Sequence, residues 1–194
     1  MVTPPRSVSD VRNFLLFWSK VEEPLAGDVP AEVVAHGAAC ADHLSNWHPH
    51  DLELSVAGLL HDVGLLLVPG DELGHPAHGA DYARPLFGGR TADLIALHVN
   101  AQRYLELTVD GYRVKPPPTA AFAAQPSLMT VEEAAAFQKH PLFRFALELR
   151  RADDAASEPE ARADAEGIAR QVARLTSLVR SLQRQDAAVS KEYT

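Results

Sequence analysis

The sequence predicts an all-α fold, a single helical bundle closed around a buried polar centre. Apolar residues recur at intervals of three and four along most of the chain, and no stretch alternates as a half-buried strand does. Histidine and aspartate also fall at spaced positions inside apolar runs, where a charged side chain needs a partner. The clearest case is Leu59-Leu60-His61-Asp62-Val63-Gly64, with His36 upstream and His75, His98 and Asp153 downstream. Adjacent His and Asp flanked by leucines do not read as surface decoration.

Each element has its own signal. Val8, Val11, Leu15 and Trp18 follow Ser7-Val8-Ser9-Asp10, which has the spacing of a capping box, and Pro24 and Gly27 end that helix. A second helix is expected over 30–44, with His36, Cys40 and His43 along one stripe. Trp47-His48-Pro49-His50-Asp51 reads as a loop with an Asp N-cap, and 52–60 is a nearly all-apolar helix that belongs in the core. Pro69-Gly70-Asp71 breaks the chain before a helix over 75–86, which Gly88-Gly89 ends. Another helix over 91–105 carries His98 inward.

Val114-Lys115-Pro116-Pro117-Pro118 cannot be helical and is expected to cross the surface to Thr130-Val131-Glu132-Glu133, a second capping box. A helix or helix pair then runs to about Asp154, interrupted near Pro141. The charged, alanine-rich stretch 155–166 reads as a linker or a solvated helix start. After it Ile168, Val172, Leu175, Val179 and Leu182 form an amphipathic stripe for packing on the domain or on a second subunit. Seven or so helices make one domain over 1–194. Its core is about 29–154, preceded by an N-terminal helix and loop (1–28) and followed by a linker and terminal helix (155–194).

Composition narrows the function. A length of 194 residues is enough to bury a core around a polar centre. The net charge of −8 argues against nucleic-acid binding. One cysteine, Cys40, excludes an intrachain disulfide, and neither a leader-like start nor a long apolar run is present. A soluble cytoplasmic protein with no membrane or nucleic-acid partner is expected, either a monomer or a homodimer.

The spacing of the six candidate ligands puts each group on a different helix, and a bundle can direct such side chains into one cavity. Four imidazoles and two carboxylates exceed the needs of one catalytic zinc, which takes three protein ligands. Two metals sharing a carboxylate use them all, with Asp62 as the natural bridge.

At these residues the chain resembles the HD-domain superfamily, whose pattern is a helical His, a His-Asp pair, further histidines and a late Asp. The resemblance covers roughly 29–154. It is narrower toward the mixed-valent diiron oxygenases, the branch that includes 2-amino-1-hydroxyethylphosphonate dioxygenase. Three segments carry this: His75-Pro76-Ala77-His78-Gly79-Ala80-Asp81-Tyr82; Leu97-His98-Val99 with Arg103-Tyr104-Leu105; and Leu149-Arg150-Arg151-Ala152-Asp153-Asp154. The resemblance implies two iron ions, Fe(II) and Fe(III), with O2 as co-substrate and the diiron centre itself as the catalytic group. It places one iron on His36, His61, Asp62 and Asp153, with Asp62 bridging and His75 and His98 completing the second. It puts Arg150 beside the open iron position, holding an anionic group of the substrate in its fork.

The chain also departs from that pattern. The phosphonate enzymes of the branch have a Tyr and a Glu before the first ligand, where this chain has Leu25-Ala26-Gly27-Asp28-Val29. Gln102 stands four residues after His98 in place of a Lys, and Leu65 stands where the family often has a His. A cavity without that cation favours a small substrate less charged than a phosphonate, a carboxylate or an amino acid, because an unpaired dianion is costly to bury. Arg84, Arg103 or His78 could reach the same space.

Other readings remain for individual residues. His78 competes with His75 for the metal from the same helix face, and the His-to-Gly-Ala spacing favours His75. His78 and Gln102 are otherwise substrate-cavity candidates with Arg150, whose bland role is a partner of Glu148 or Asp154. Cys40 reads as a small core residue, and His43, His48, His50 and His140 as surface or capping histidines. The expected activity is O2-dependent attack on a C–H bond, giving hydroxylation or oxidative bond cleavage. The alternative is a metal-dependent phosphohydrolase acting on a small phosphate ester or nucleotide, which the scarcity of Lys near the motifs disfavours. A non-catalytic binding module is least favoured, since the ligand set is intact.

Overall fold

The computed structural model describes residues 4–112, 128–158 and 163–192. Among them are eight α-helices and no strand beyond an isolated bridge between Leu25 and Asp28. The predicted all-α class holds. Helix α1 (Val8–Trp18) starts at the expected capping box: Ser7 Oγ accepts from the Asp10 amide at 3.2 Å and Asp10 accepts from the Ser7 amide at 2.9 Å. Helix α2 (Pro30–Trp47) opens with proline at its first position and runs three residues past the expected end at Leu44. Helix α3 (Leu52–Leu60) is capped by Asp51, whose carboxylate accepts from the Leu54 amide at 3.0 Å.

After α3 come a short helix, α4 (Val63–Leu67), and α5 (His75–Thr108). The five residues of α4 are too few to show a period, and the sequence reading had no separate helix there. The two helices expected over 75–86 and 91–105 are continuous in hydrogen bonding but bend at Gly88, where φ is 82°. That value lies in the region only glycine enters freely. Helix α6 (Val131–Gln138) starts at the Thr130–Glu133 capping box, and α7 (Phe143–Ala156) follows the break at Pro141. Helix α8 (Ala165–Glu192) ends the described chain. The proline run 114–118 lies outside the described residues, as does 159–162 of the charged stretch.

The packing converges on α3, which lies against α2, α5 and α7, while α2 and α5 also pack on α7. Gly37 lets α2 approach α3 closely: a Cβ there would sit 2.5 Å from the Leu59 carbonyl oxygen. Leu44, Leu54, Leu60, Leu94, Ile95 and Leu149 fill the fully buried centre. Ile168, Val172, Leu175 and Leu178 of α8 are buried on the same core, so the terminal stripe packs on its own domain. A smaller cluster ties α6 to α5 and α7 through Tyr104, Phe137 and Phe143, whose rings meet edge-on at 5.0–5.8 Å.

Arg90 fastens α5 to the start of α3. It binds both Asp51 oxygens at 2.6 and 2.7 Å, reaches Glu53 at 3.2 Å and stacks over Phe145 at 4.8 Å. No helix among the described residues is long and apolar enough to cross a membrane.

Candidate metal centre

His61 and Asp62 form the two-residue elbow between α3 and α4, His61 as the C-cap of one and Asp62 as the N-cap of the other. Around them stand His36 from α2, His75 from the first turn of α5, His98 from beyond its bend, and Asp153 from α7. His61 is wholly buried, and His36, His75, His98 and Asp153 are nearly so.

Two triads of donor atoms result, His36–His61–Asp62 and Asp62–His75–His98, each with its atoms mutually within 4.8 Å. They share Asp62, whose two oxygens divide between them. Oδ2 faces His61 Nε2 at 3.3 Å, while Oδ1 faces His75 Nε2 at 3.3 Å and His98 Nε2 at 3.6 Å. Asp153 adds Oδ1 to the first triad, 2.9 Å from His36 Nε2 and 3.7 Å from His61 Nε2.

The hydrogen bonds of the rings test whether these residues suit a metal. His61 Nδ1 donates to the Gly58 carbonyl at 2.7 Å, His98 Nδ1 to the Ile95 carbonyl at 2.6 Å, and His75 Nδ1 to the Glu72 carbonyl. A carbonyl only accepts, so Nδ1 carries the proton in each ring and the neutral form turns an Nε2 lone pair inward. His75 Nε2 and His98 Nε2 then oppose each other at 3.0 Å, and buried His61 Nε2 has no hydrogen-bond partner, with two carboxylates beside it. Lone pairs so placed repel unless a proton or a metal ion lies among them. Two imidazoles bound about 2.1 Å from one ion at right angles lie about 3 Å apart, the spacing seen. Fixing Nδ1 on a carbonyl is the usual support of a metal-binding histidine.

The charge states agree. Burial opposes protonation of His61, but Asp62 and Asp153 outweigh it and hold the ring's pKa well above the ordinary value. His75 is raised more mildly, burial again being outweighed by Asp62. Burial also opposes ionisation of both aspartates, yet His61 and its neighbours hold Asp62 well below the carboxylate range, and Arg150 and His61 do the same for Asp153. His98 is lowered, by burial and by the charges of His75 and His61.

Since a metal binds only the neutral ring, loading metal-free protein at neutral pH should expel the proton held by His61, and toward lower pH that of His75 as well. Both pKa values lie above 6.5, so affinity should fall as the pH falls, and the release should fade as the pH rises through the raised values. A pH indicator in weak buffer reads this directly. Uptake without proton release at pH 7 would contradict these charge states.

The predicted substrate-side residues are placed differently from one another. Arg150 is buried and fully engaged: Nη1 donates to Asp153 Oδ2 at 2.8 Å and to Gln102 Oε1 at 3.1 Å, Nη2 to Asp154, and Nε to Asp154 at 3.0 Å and Tyr112 Oη at 3.2 Å. Gln102 is buried beside it and donates to Glu106 at 3.3 Å. His78 is outside both triads; its Nε2 lies 2.7 Å from Asp71. One helical turn separates it from His75, and only the rotation of α5 against the core decides which ring enters the cluster.

Arg84 pairs with Asp93 at 2.9 Å and Arg103 with Glu133 at 3.1 Å. Cys40 is fully buried, and burial pushes its thiol up to about 12, as suits a core residue. Tyr112 escaped the sequence reading. It is 38 residues from Arg150, and no local pattern links the two.

No protein-family model matches the chain. Over 127 residues it is 32% identical to a hydroxymethylphosphonate dioxygenase of Gimesia maris. The match covers 60% of this chain and 63% of the relative, so the chain spans less than two thirds of that protein's length. This similarity to a dioxygenase fits the family whose motifs the chain resembles around His61-Asp62 and between Arg150 and Asp154, the mixed-valent diiron oxygenases of the HD-domain superfamily.

Proposed function

We propose that the chain is an O2-dependent diiron oxygenase that attacks a C–H bond of a small anionic organic substrate. The observation that supports this most is the division of the two Asp62 oxygens between separate imidazole groups, an arrangement suited to two neighbouring ions. Similarity to a phosphonate dioxygenase supports oxygen chemistry at such a centre. A bound Fe(II)/Fe(III) pair would supply the activation of O2 and the oxidation of the C–H bond.

The protein's own residues do the rest. His36, His61, Asp62 and Asp153 would hold one ion, with Asp62, His75 and His98 holding the other. The carbonyls of Gly58, Glu72 and Ile95 keep the rings turned inward, and the leucines around the elbow exclude bulk water.

For the substrate we favour a carboxylate or an amino acid. Arg150 is the cation that the described residues place against the ligand set, and Asp153 and Asp154 already offset its charge. Gln102 beside it brings no charge. A monoanion therefore asks less of this space than a dianion. The relative's name supports a second substrate reading, a short hydroxylated phosphonate.

Anaerobic loading with iron, followed by metal analysis, paramagnetic resonance and oxygen uptake, tests the proposal. About two irons per chain are expected, with a mixed-valence signal that changes on adding the substrate, and oxygen consumed with it. The panel should contain hydroxymethylphosphonate beside short 2-hydroxy and 2-amino carboxylates. Phosphate release from nucleotides with magnesium, manganese or nickel, without oxygen uptake, would instead establish the hydrolase.

A further inference from the structure

Arg150 spends the edge of its guanidinium that could grip an anion with two parallel bonds on the side away from the ligands. Nε and Nη2 are both taken by Asp154, and Nε also meets Tyr112 Oη. Tyr112 in turn donates to the other Asp154 oxygen at 2.6 Å, so tyrosine, aspartate and arginine close a ring of hydrogen bonds. Arg150 is buried and Tyr112 and Asp154 are half-buried, which protects the ring from solvent screening. Only Nη1 is left toward the centre, where it meets Asp153 Oδ2, while Asp153 Oδ1 lies against His36.

We propose that Tyr112 and Asp154 are positioning residues for the metal site that contains Asp153. This rests on the metal-centre reading above and adds a chain of contacts that runs from the turn after α5 through α7 to one of the two triads. Two effects follow. Asp154 offsets the charge of Arg150, so Arg150 draws less electron density from Asp153 and leaves Oδ1, the oxygen on the side of His36 and His61, a better donor. Tyr112 fixes the rotamer of Asp154, and through it the direction in which Arg150 turns Asp153. The His75–His98 side touches none of these groups in any contact described above, so the two sites should respond unequally.

The experiment is a titration of the metal-free full chain with Co(II), followed by its visible absorption, for wild type, Asp154→Asn and Tyr112→Phe. Wild type should take up two equivalents. In Asp154→Asn one equivalent should weaken about tenfold, the usual scale for partners behind a ligand. Tyr112→Phe keeps the ring and all charges, and should weaken the same equivalent by a smaller factor, with altered band intensities and an unchanged melting temperature.

Variants that titrate as wild type does would overturn the proposal. So would a parallel weakening of both equivalents together with a lower melting temperature, since that marks general destabilisation. Wild-type protein that binds no Co(II) would instead overturn the metal-centre reading, before the variants are compared.

Discussion

Asp62→Ala should remove both metal ions and all oxygenase activity, whereas His75→Ala should leave one triad intact. The difference lies in the two oxygens. Oδ2 belongs to the group of His61 and His36, and Oδ1 to that of His75 and His98, so a single truncation takes the carboxylate from both. It also removes a negative charge that, together with Asp153 at His61, favours positive charge beside these buried rings. Affinity for metal should fall by at least about a thousandfold, above the range for losing a supporting partner. The measurement is iron per chain after anaerobic loading, with circular dichroism as a check on folding. A folded Asp62→Ala protein that retains two irons would show that Asp62 does not bridge.

Gly64→Ala should be the most damaging glycine-to-alanine substitution among the described residues. An added Cβ would fall inside the van der Waals envelope of the His75 carbonyl, and also within 2.7 and 2.8 Å of the neighbouring His75 backbone atoms. Backbone at the start of α5 cannot swing aside as a side chain can, so α4 must part from α5. Two residues upstream is Asp62, and on the other side of the contact is His75 itself. One added methyl group would therefore push the elbow that carries Asp62 away from the helix turn that carries His75. A loss of about 3 kcal/mol is expected, which lowers the melting temperature of a domain this size by roughly 6–12 °C. Metal loading at the His75–His98 site should fall with it. Thermal unfolding followed by circular dichroism decides the matter, and a melting temperature within a degree of wild type would mean that α4 and α5 do not touch as described.

The local rules succeeded where structure is decided locally. The capping boxes at Ser7 and Thr130, the N-cap at Asp51 and the break at Pro141 each depend on a few adjacent residues, and each sits where its spacing put it, while the helix end expected at Gly88 is a bend in a continuous helix. Helix α4 went unseen because its five residues sit in an apolar run with no polar face to give a period.

The amino-acid sequence by itself determined the all-helical class, most helix boundaries and the types of side chain gathered in the centre, because caps, breakers and the 3.6-residue period act within one or two turns. Only the tertiary structure decided which atoms meet. It divided the oxygens of Asp62, turned His75 inward and left His78 with Asp71, and brought Tyr112 to Arg150 across 38 residues. Those outcomes depend on how far each helix is rotated and how closely Gly37 and Gly64 let neighbours approach, which are properties of packing between distant segments.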